Sequence, residues 1–180
     1  IKAPKKGFNE KLLPVMFWIH GGGNISGLKD IYDFSKSVKK HKVIVVSINY
    51  RLGPFGWFYH PEIQNNQDGL DKTSNFGTLD IISALNWTKN NIEKFGGDPN
   101  NITIFGESAG GHNVFSLLVS PQAKGLFNKA ISQSGYTTSI SSYEAYKQNK
   151  ASNTSEMTSS KLEDYLVKNF LTNKNEINIR

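Results

Sequence analysis

Three short apolar runs without polar alternation mark the chain, at residues 12–19 (broken once by Pro14), 43–48 and 102–105. Continuous β-branched and aromatic runs of this length predict strands of a parallel sheet covered on both faces, since a strand with one wet face would alternate apolar and polar residues. Residues 130–134 form a weaker fourth run. Helical spacing lies between the runs. From 77 to 95 the apolar set Ile81, Ala84, Leu85, Ile92 and Phe95 recurs on one face, and Gly96-Gly97-Asp98-Pro99 predicts its end. Residues 30–40 predict a shorter helix with Ile31, Phe34 and Val38 on one side, and 109–119 predict a third. Asp98 to Asn101 reads as a helix-to-strand turn. Strands alternating with helices, with glycines at the strand ends, predict an α/β architecture whose ligands sit at the carboxyl ends of the strands. The pattern changes after Gly135. Residues 136–160 are rich in Ser, Thr, Asn and Lys and read as loop with at most a helical turn. Residues 161–171 recover helical spacing through Leu162, Leu166 and Phe170, with Ser160 as N-cap. No segment repeats, and all 180 residues read as part of a single domain.

Composition narrows this picture only slightly. A hydrophobic share of 37% suits a packed globular domain and excludes disorder, and no run is long enough to span a membrane. The net charge of +6 comes almost wholly from scattered Lys; Arg51 and Arg180 are the two arginines. A phosphate-reading surface favours clustered Arg, so no nucleic-acid partner is expected. The absence of cysteine leaves the redox compartment open. The opening residues have no apolar leader segment. The Asn-x-Ser/Thr triplets at Asn24, Asn86, Asn101 and Asn153 carry little weight in so Asn-rich a chain.

Two motifs carry chemistry. Gly106-Glu107-Ser108-Ala109-Gly110 stands between a predicted strand and a predicted helix. In that context a serine on a tight, strained turn exposes its hydroxyl at a helix N-terminus, where free N–H groups favour negative charge. His20-Gly21-Gly22-Gly23 follows another strand. Its backbone N–H groups are candidate donors to the oxyanion of acyl transfer, with no Cβ to block a substrate. Ser108 is therefore the candidate nucleophile. His20 precedes it and reads as an anchor of the glycine loop, because α/β-hydrolases place the histidine of the triad after the serine. His112 follows by four residues within one helix and cannot fold back over the hydroxyl. His41 falls in a surface turn and His60 in a proline-containing loop. None of the four is a convincing general base. No metal motif and no phosphate loop occurs, and no metal or cofactor is expected.

The run Phe95-Gly96-Gly97-Asp98-Pro99-Asn100-Asn101-Ile102-Thr103-Ile104-Phe105-Gly106-Glu107-Ser108-Ala109-Gly110-Gly111 resembles the serine signature of the type-B carboxylesterase/lipase family, related to cholinesterases. Trp18 to Gly23, Asn49 to Gly53, Asn75 to Asp80 and Ala130 to Gly135 support the resemblance, which covers residues 12–136 and in style is closer to bacterial members. It implies an α/β-hydrolase fold, mostly parallel with helices on both faces and incomplete in this chain. It further implies Ser108 as nucleophile, Gly22, Gly23 and Ala109 as oxyanion donors, and Glu107 beside the nucleophile. Ser134 would support the acid of the triad, and His20, Arg51 and Asp80 would be structural. Arg51 and Asp80 are expected to form a salt bridge, worth about 3–5 kcal/mol if buried. The substrate implied is a small carboxylic ester; the compartment is left unknown, the resemblance leaning only slightly to a secreted or periplasmic one. Family members carry their acid and histidine well beyond position 180 and an acidic-Cys-Leu segment before position 1, so the chain is expected to be a piece cut at both ends and inactive alone. Position 24, often aromatic in the family, is Asn here. Two alternatives remain at this point: a non-catalytic binding or adhesion protein of the same fold, and an esterase of the hormone-sensitive-lipase branch.

Overall fold

The structure, a computed structural model, describes residues 1–4, 11–141 and 146. Among the described residues, four strands, β1 (Leu13–Ile19), β2 (Ile44–Ser47), β3 (Gly97–Glu107) and β4 (Lys129–Gln133), form one sheet in the order β2-β1-β3-β4. Every neighbouring pair is parallel. Helices α1 (Ser35–His41), α2 (Pro61–Asn65), α3 (Phe76–Asn91) and α4 (Ala109–Val119) lie between them in sequence.

The strand register explains the unbroken apolar runs. Ile44, Val15 and Ile102 form one cross-strand row and Val46, Phe17 and Ile104 the next, all buried. The 3₁₀ turn Ile92–Phe95 that ends α3 packs on this face, since a methyl group at Gly97 would lie 2.6 Å from Ile92 Cγ1 and 2.8 Å from Val15 Cγ2. The opposite face carries Met16, Trp18, Val45 and Phe105, and Val38 of α1 closes over them. Both faces of the central strands are dry, so neither alternates with polar residues.

Two boundaries differ from the sequence expectation. The predicted turn at Asp98 to Asn101 lies inside β3 as a bulge. Leu13 pairs with Gly97 and Val15 with Ile102, so two steps along β1 match five along β3. The turn itself is real, because Asp98 Oδ1 accepts the Asn100 N–H at 2.8 Å. Pro14 sits at this register shift, where its missing N–H costs no ladder bond. Helix α1 starts at Ser35, later than predicted, and Ile31 is 57% exposed where a buried position was expected. Tertiary contacts take the preceding residues off the helical path. Tyr32 and Phe34 pack edge-on against Trp18 at 5.4 and 5.5 Å, and the Asp33 carboxylate accepts the Ser35 N–H at 3.0 Å while binding the Lys2 ammonium. The predicted helix at 161–171 and its Ser160 cap lie outside the described residues. In the preceding loop, 136–141 have no regular structure and Tyr146 is helical.

The chain divides into two compact units, Ile1–Gly53 with Gly77–Thr137, and Pro54–Phe76 with Thr138–Arg180. The first contains the sheet. In the second, His60 caps α2: its Nδ1 accepts the Glu62 N–H at 3.2 Å, and Gln64 Oε1 accepts the His60 N–H at 2.8 Å.

Candidate active site

The connections leaving β1 and β3 run in opposite directions, β1 to β2 at one edge and β3 to β4 at the other. Adjacent strands whose crossovers diverge leave a crevice beyond their carboxyl ends, the usual ligand position in open α/β sheets. Ile19, the last residue of β1, pairs with Gly106 of β3. The glycine loop after β1 and the serine turn after β3 therefore emerge side by side.

Ser108 occupies the joint between β3 and α4 with φ 55° and ψ −121°. A non-glycine residue in this sparsely populated region carries strain of about 1–3 kcal/mol and persists only where its surroundings impose it. Here they do. The Ser108 N–H donates to the Gln133 carbonyl at 2.9 Å, and its carbonyl accepts the His112 N–H at 3.0 Å. Helix α4 also leans directly on the end of β1, since a methyl group on Gly110 would fall 2.1 Å from the Ile19 carbonyl oxygen. Ser108 stands at the N-cap of α4 and is partly exposed, and its side chain makes no capping bond. Its hydroxyl is not consumed by its own helix.

Gly21 crosses against this turn. A methyl group there would meet the Glu107 carbonyl at 2.6 Å and Ser108 Cβ at 3.2 Å. The next residues turn back, with the Gly22 carbonyl accepting the N–H groups of Ile25 at 3.1 Å and Ser26 at 3.0 Å. Gly22 and Gly23 are exposed. Ala109, at the first position of α4, has an N–H with no intrahelical partner. The structure thus brings Gly21, Glu107 and Ser108 into direct contact and places Gly22, Gly23 and Ala109 next to them in the chain. Ser134, also at positive φ (52°), is exposed just past β4 and follows Gln133, the residue that holds the Ser108 N–H.

The histidines are occupied elsewhere. His20 is buried and stacks on Tyr50 with ring centroids 4.4 Å apart; its Nδ1 lies 2.8 Å from the Gly21 carbonyl oxygen. Its Nε2 has no hydrogen-bond partner among the described residues. His112 turns to Tyr136, with Nδ1 2.6 Å from that residue's carbonyl oxygen. His41 is exposed at the end of α1, and His60 caps α2 in the other unit. Arg51 and Asp80 pair in two-pronged fashion: Nε to Oδ2 and Nη2 to Oδ1 are both 2.8 Å, and the Arg51 backbone N–H adds a third bond to Oδ2 at 2.9 Å.

One group of residues escaped sequence reasoning. Tyr50 is buried and donates its hydroxyl hydrogen to the His20 carbonyl. Burial pushes its phenol up to about 12, against an opposing hydrogen bond from Asn113. Asn113 is buried on α4 and donates to Asn24 Oδ1 at 2.9 Å. The available signals were Tyr50 within a matched segment and Asn24 where an aromatic residue is usual; nothing in the spacing joins either to Asn113.

A family model described as the carboxylesterase family matches residues 1–179. The chain belongs to the carboxylesterase family. Para-nitrobenzyl esterase of Bacillus subtilis (strain 168) is 49% identical over 137 residues, covering 75% of this chain and 27% of the relative. Carboxylesterase 1E of Rattus norvegicus is also 49% identical, over 68% of this chain and 21% of its own length, so identity does not divide bacterial from mammalian relatives here. A solved PNB esterase superposes with a TM-score of 0.69 at 46% identity, covering 77% of this chain and 28% of that one. The fold is that of an α/β-hydrolase. The chain spans about a quarter of the length of the relatives it matches. Among the described residues, no helix is long and apolar enough to cross a membrane.

Proposed function

We propose that this chain carries the nucleophile and the oxyanion-binding loop of a serine carboxylic-ester hydrolase. The observation that carries this reading is the strained Ser108 at the β3–α4 joint, in contact with the glycine loop from the neighbouring strand. In the proposed reaction Ser108 Oγ attacks the ester carbonyl carbon as a base removes its proton. The tetrahedral oxyanion is held by the N–H groups of Gly22, Gly23 and Ala109 and by the positive end of α4. Collapse releases the alcohol, which takes up the proton, and leaves an acyl group on Ser108; water then attacks that ester and frees the acid. The substrate is a small carboxylic ester, in keeping with the esterase names of the relatives. Glu107 holds the turn beside the nucleophile, and Ser134 supports the triad acid. Both units belong to one catalytic domain on this reading.

The base is not among the four histidines. His20 is turned to Gly21 and Tyr50, and His112 to Tyr136. The general base and its acid partner come from polypeptide outside these 180 residues. The test uses the full-length protein that contains this chain, with para-nitrophenyl esters and a fluorophosphonate probe. Substitution Ser108→Ala is expected to abolish labelling and lower kcat on the order of 10⁶-fold. A correctly folded full-length protein that neither labels nor turns over any ester would replace this reading with a non-catalytic binding role.

A further inference from the structure

The donors of the candidate oxyanion loop sit on its most flexible residues. Gly22 and Gly23 have φ of 104° and 65°, and a methyl group on Gly23 would meet nothing within 4 Å. Consecutive glycines have the greatest backbone freedom of any residues, whereas an oxyanion site works by donors fixed in advance of the reaction. Apart from the two bonds to the Gly22 carbonyl, the restraint comes from outside the loop.

Both flanks of the loop are restrained from outside it. On the upstream side, the His20 carbonyl accepts the Tyr50 hydroxyl and the His20 ring stacks on Tyr50. On the downstream side, Asn24 closes the loop at φ 59°, a left-handed conformation that Asn adopts more easily than other non-glycine residues. Its carbonyl accepts the Gly53 N–H at 2.7 Å, and its Oδ1 accepts from Asn113 Nδ2 at 2.9 Å. Asn113 is 1% exposed and lies five residues after Ser108, on the helix that Ser108 begins.

We propose that Asn113 is a positioning residue that clamps the downstream end of the glycine loop through Asn24, and so sets the oxyanion donors relative to Ser108. This rests on the reading of Gly22 and Gly23 as oxyanion donors. The clamp and the nucleophile share one rigid element, so a shift of α4 carries both together. A loop freed from it samples positions in which the donors miss the oxyanion, and a displacement near 1 Å can cost on the order of 100-fold in rate.

The test is a double-mutant cycle in the full-length protein. Asn24→Gly keeps the left-handed backbone accessible and removes only the side-chain acceptor, and Asn113→Ala removes the donor. Each is expected to lower kcat by about 10- to 100-fold with KM nearly unchanged. Affinity for a trifluoromethyl ketone, which forms the oxyanion adduct, should weaken in parallel. The double variant should lose less than the product of the two single losses. A purely structural Asn113 would lower the melting temperature and leave kcat and ketone affinity alone, which overturns the proposal. So does an Asn24→Gly variant with unchanged kcat, a measurement that stands even if Asn113→Ala does not fold. Persistent turnover in Ser108→Ala would instead overturn the active-site reading beneath it.

Discussion

Asp80 accepts two bonds from the Arg51 guanidinium and one from its backbone N–H, tying the turn after β2 to the start of α3. Burial alone would raise the carboxyl pKa; the bonds from Arg51 outweigh it and hold the value below the usual range. The sign follows: a carboxylate more acidic when folded stabilises the fold above its unfolded pKa of about 3.9 and loses that contribution as pH falls below it. The Arg51 side chain is 50% exposed and that of Asp80 28%, so this is not the buried pair that would be worth several kcal/mol. Solvent screening reduces it to about 1 kcal/mol. Urea unfolding of Arg51→Met should show that loss at pH 7, and the gap from the unsubstituted protein should close below about pH 4. A gap that persists undiminished at pH 2 would mean that Arg51 acts through packing. The pair itself was legible from the matched segments. Its exposure was not, because burial is set by neighbours distant in sequence.

At the scale of elements, the decisive contact is between α4 and the end of β1. Nothing larger than glycine fits at position 110, where a methyl group would overlap the Ile19 backbone oxygen, an atom that cannot rotate away. Gly110→Ala should therefore force α4 off the sheet at a cost of about 3 kcal/mol or more. Because α4 bears Ser108 at one end and Asn113 within it, the proposed ester turnover of the full-length protein should fall together with its melting temperature. Normal activity and stability in Gly110→Ala would contradict the close approach. The G-x-S-x-G spacing pointed to this crossing, and the strand, turn and helix around it matched in kind. Helix α1 shows where local pattern failed. Ile31, Phe34 and Val38 have helical spacing, yet the aromatic packing of Tyr32 and Phe34 on Trp18 outweighs one turn of helix. Helix propensity is worth tenths of a kcal/mol per residue, and a tertiary aromatic cluster easily exceeds it.

For the whole molecule, the proposed reading, in which none of the four histidines is the base, predicts that the 180-residue chain expressed alone has negligible esterase activity. Donor groups without a base leave on the order of 10³-fold over water, far below a working esterase. Side-by-side assay of the chain and its full-length parent would test this, and equal fluorophosphonate labelling would point to His20 or His112 as the base. The sequence by itself determined the alternation of strands and helices, the serine turn and the glycine loop, because apolar periodicity and glycine placement are local properties of the chain. Tertiary structure alone decided that β1 and β3 are neighbours despite the β2 and α3 segments between them, and that Asn113 reaches Asn24 across 89 positions. Such contacts depend on strand order and on which helix face meets the sheet. Those are settled by the joint burial of many distant side chains, and no local pattern of residues encodes them.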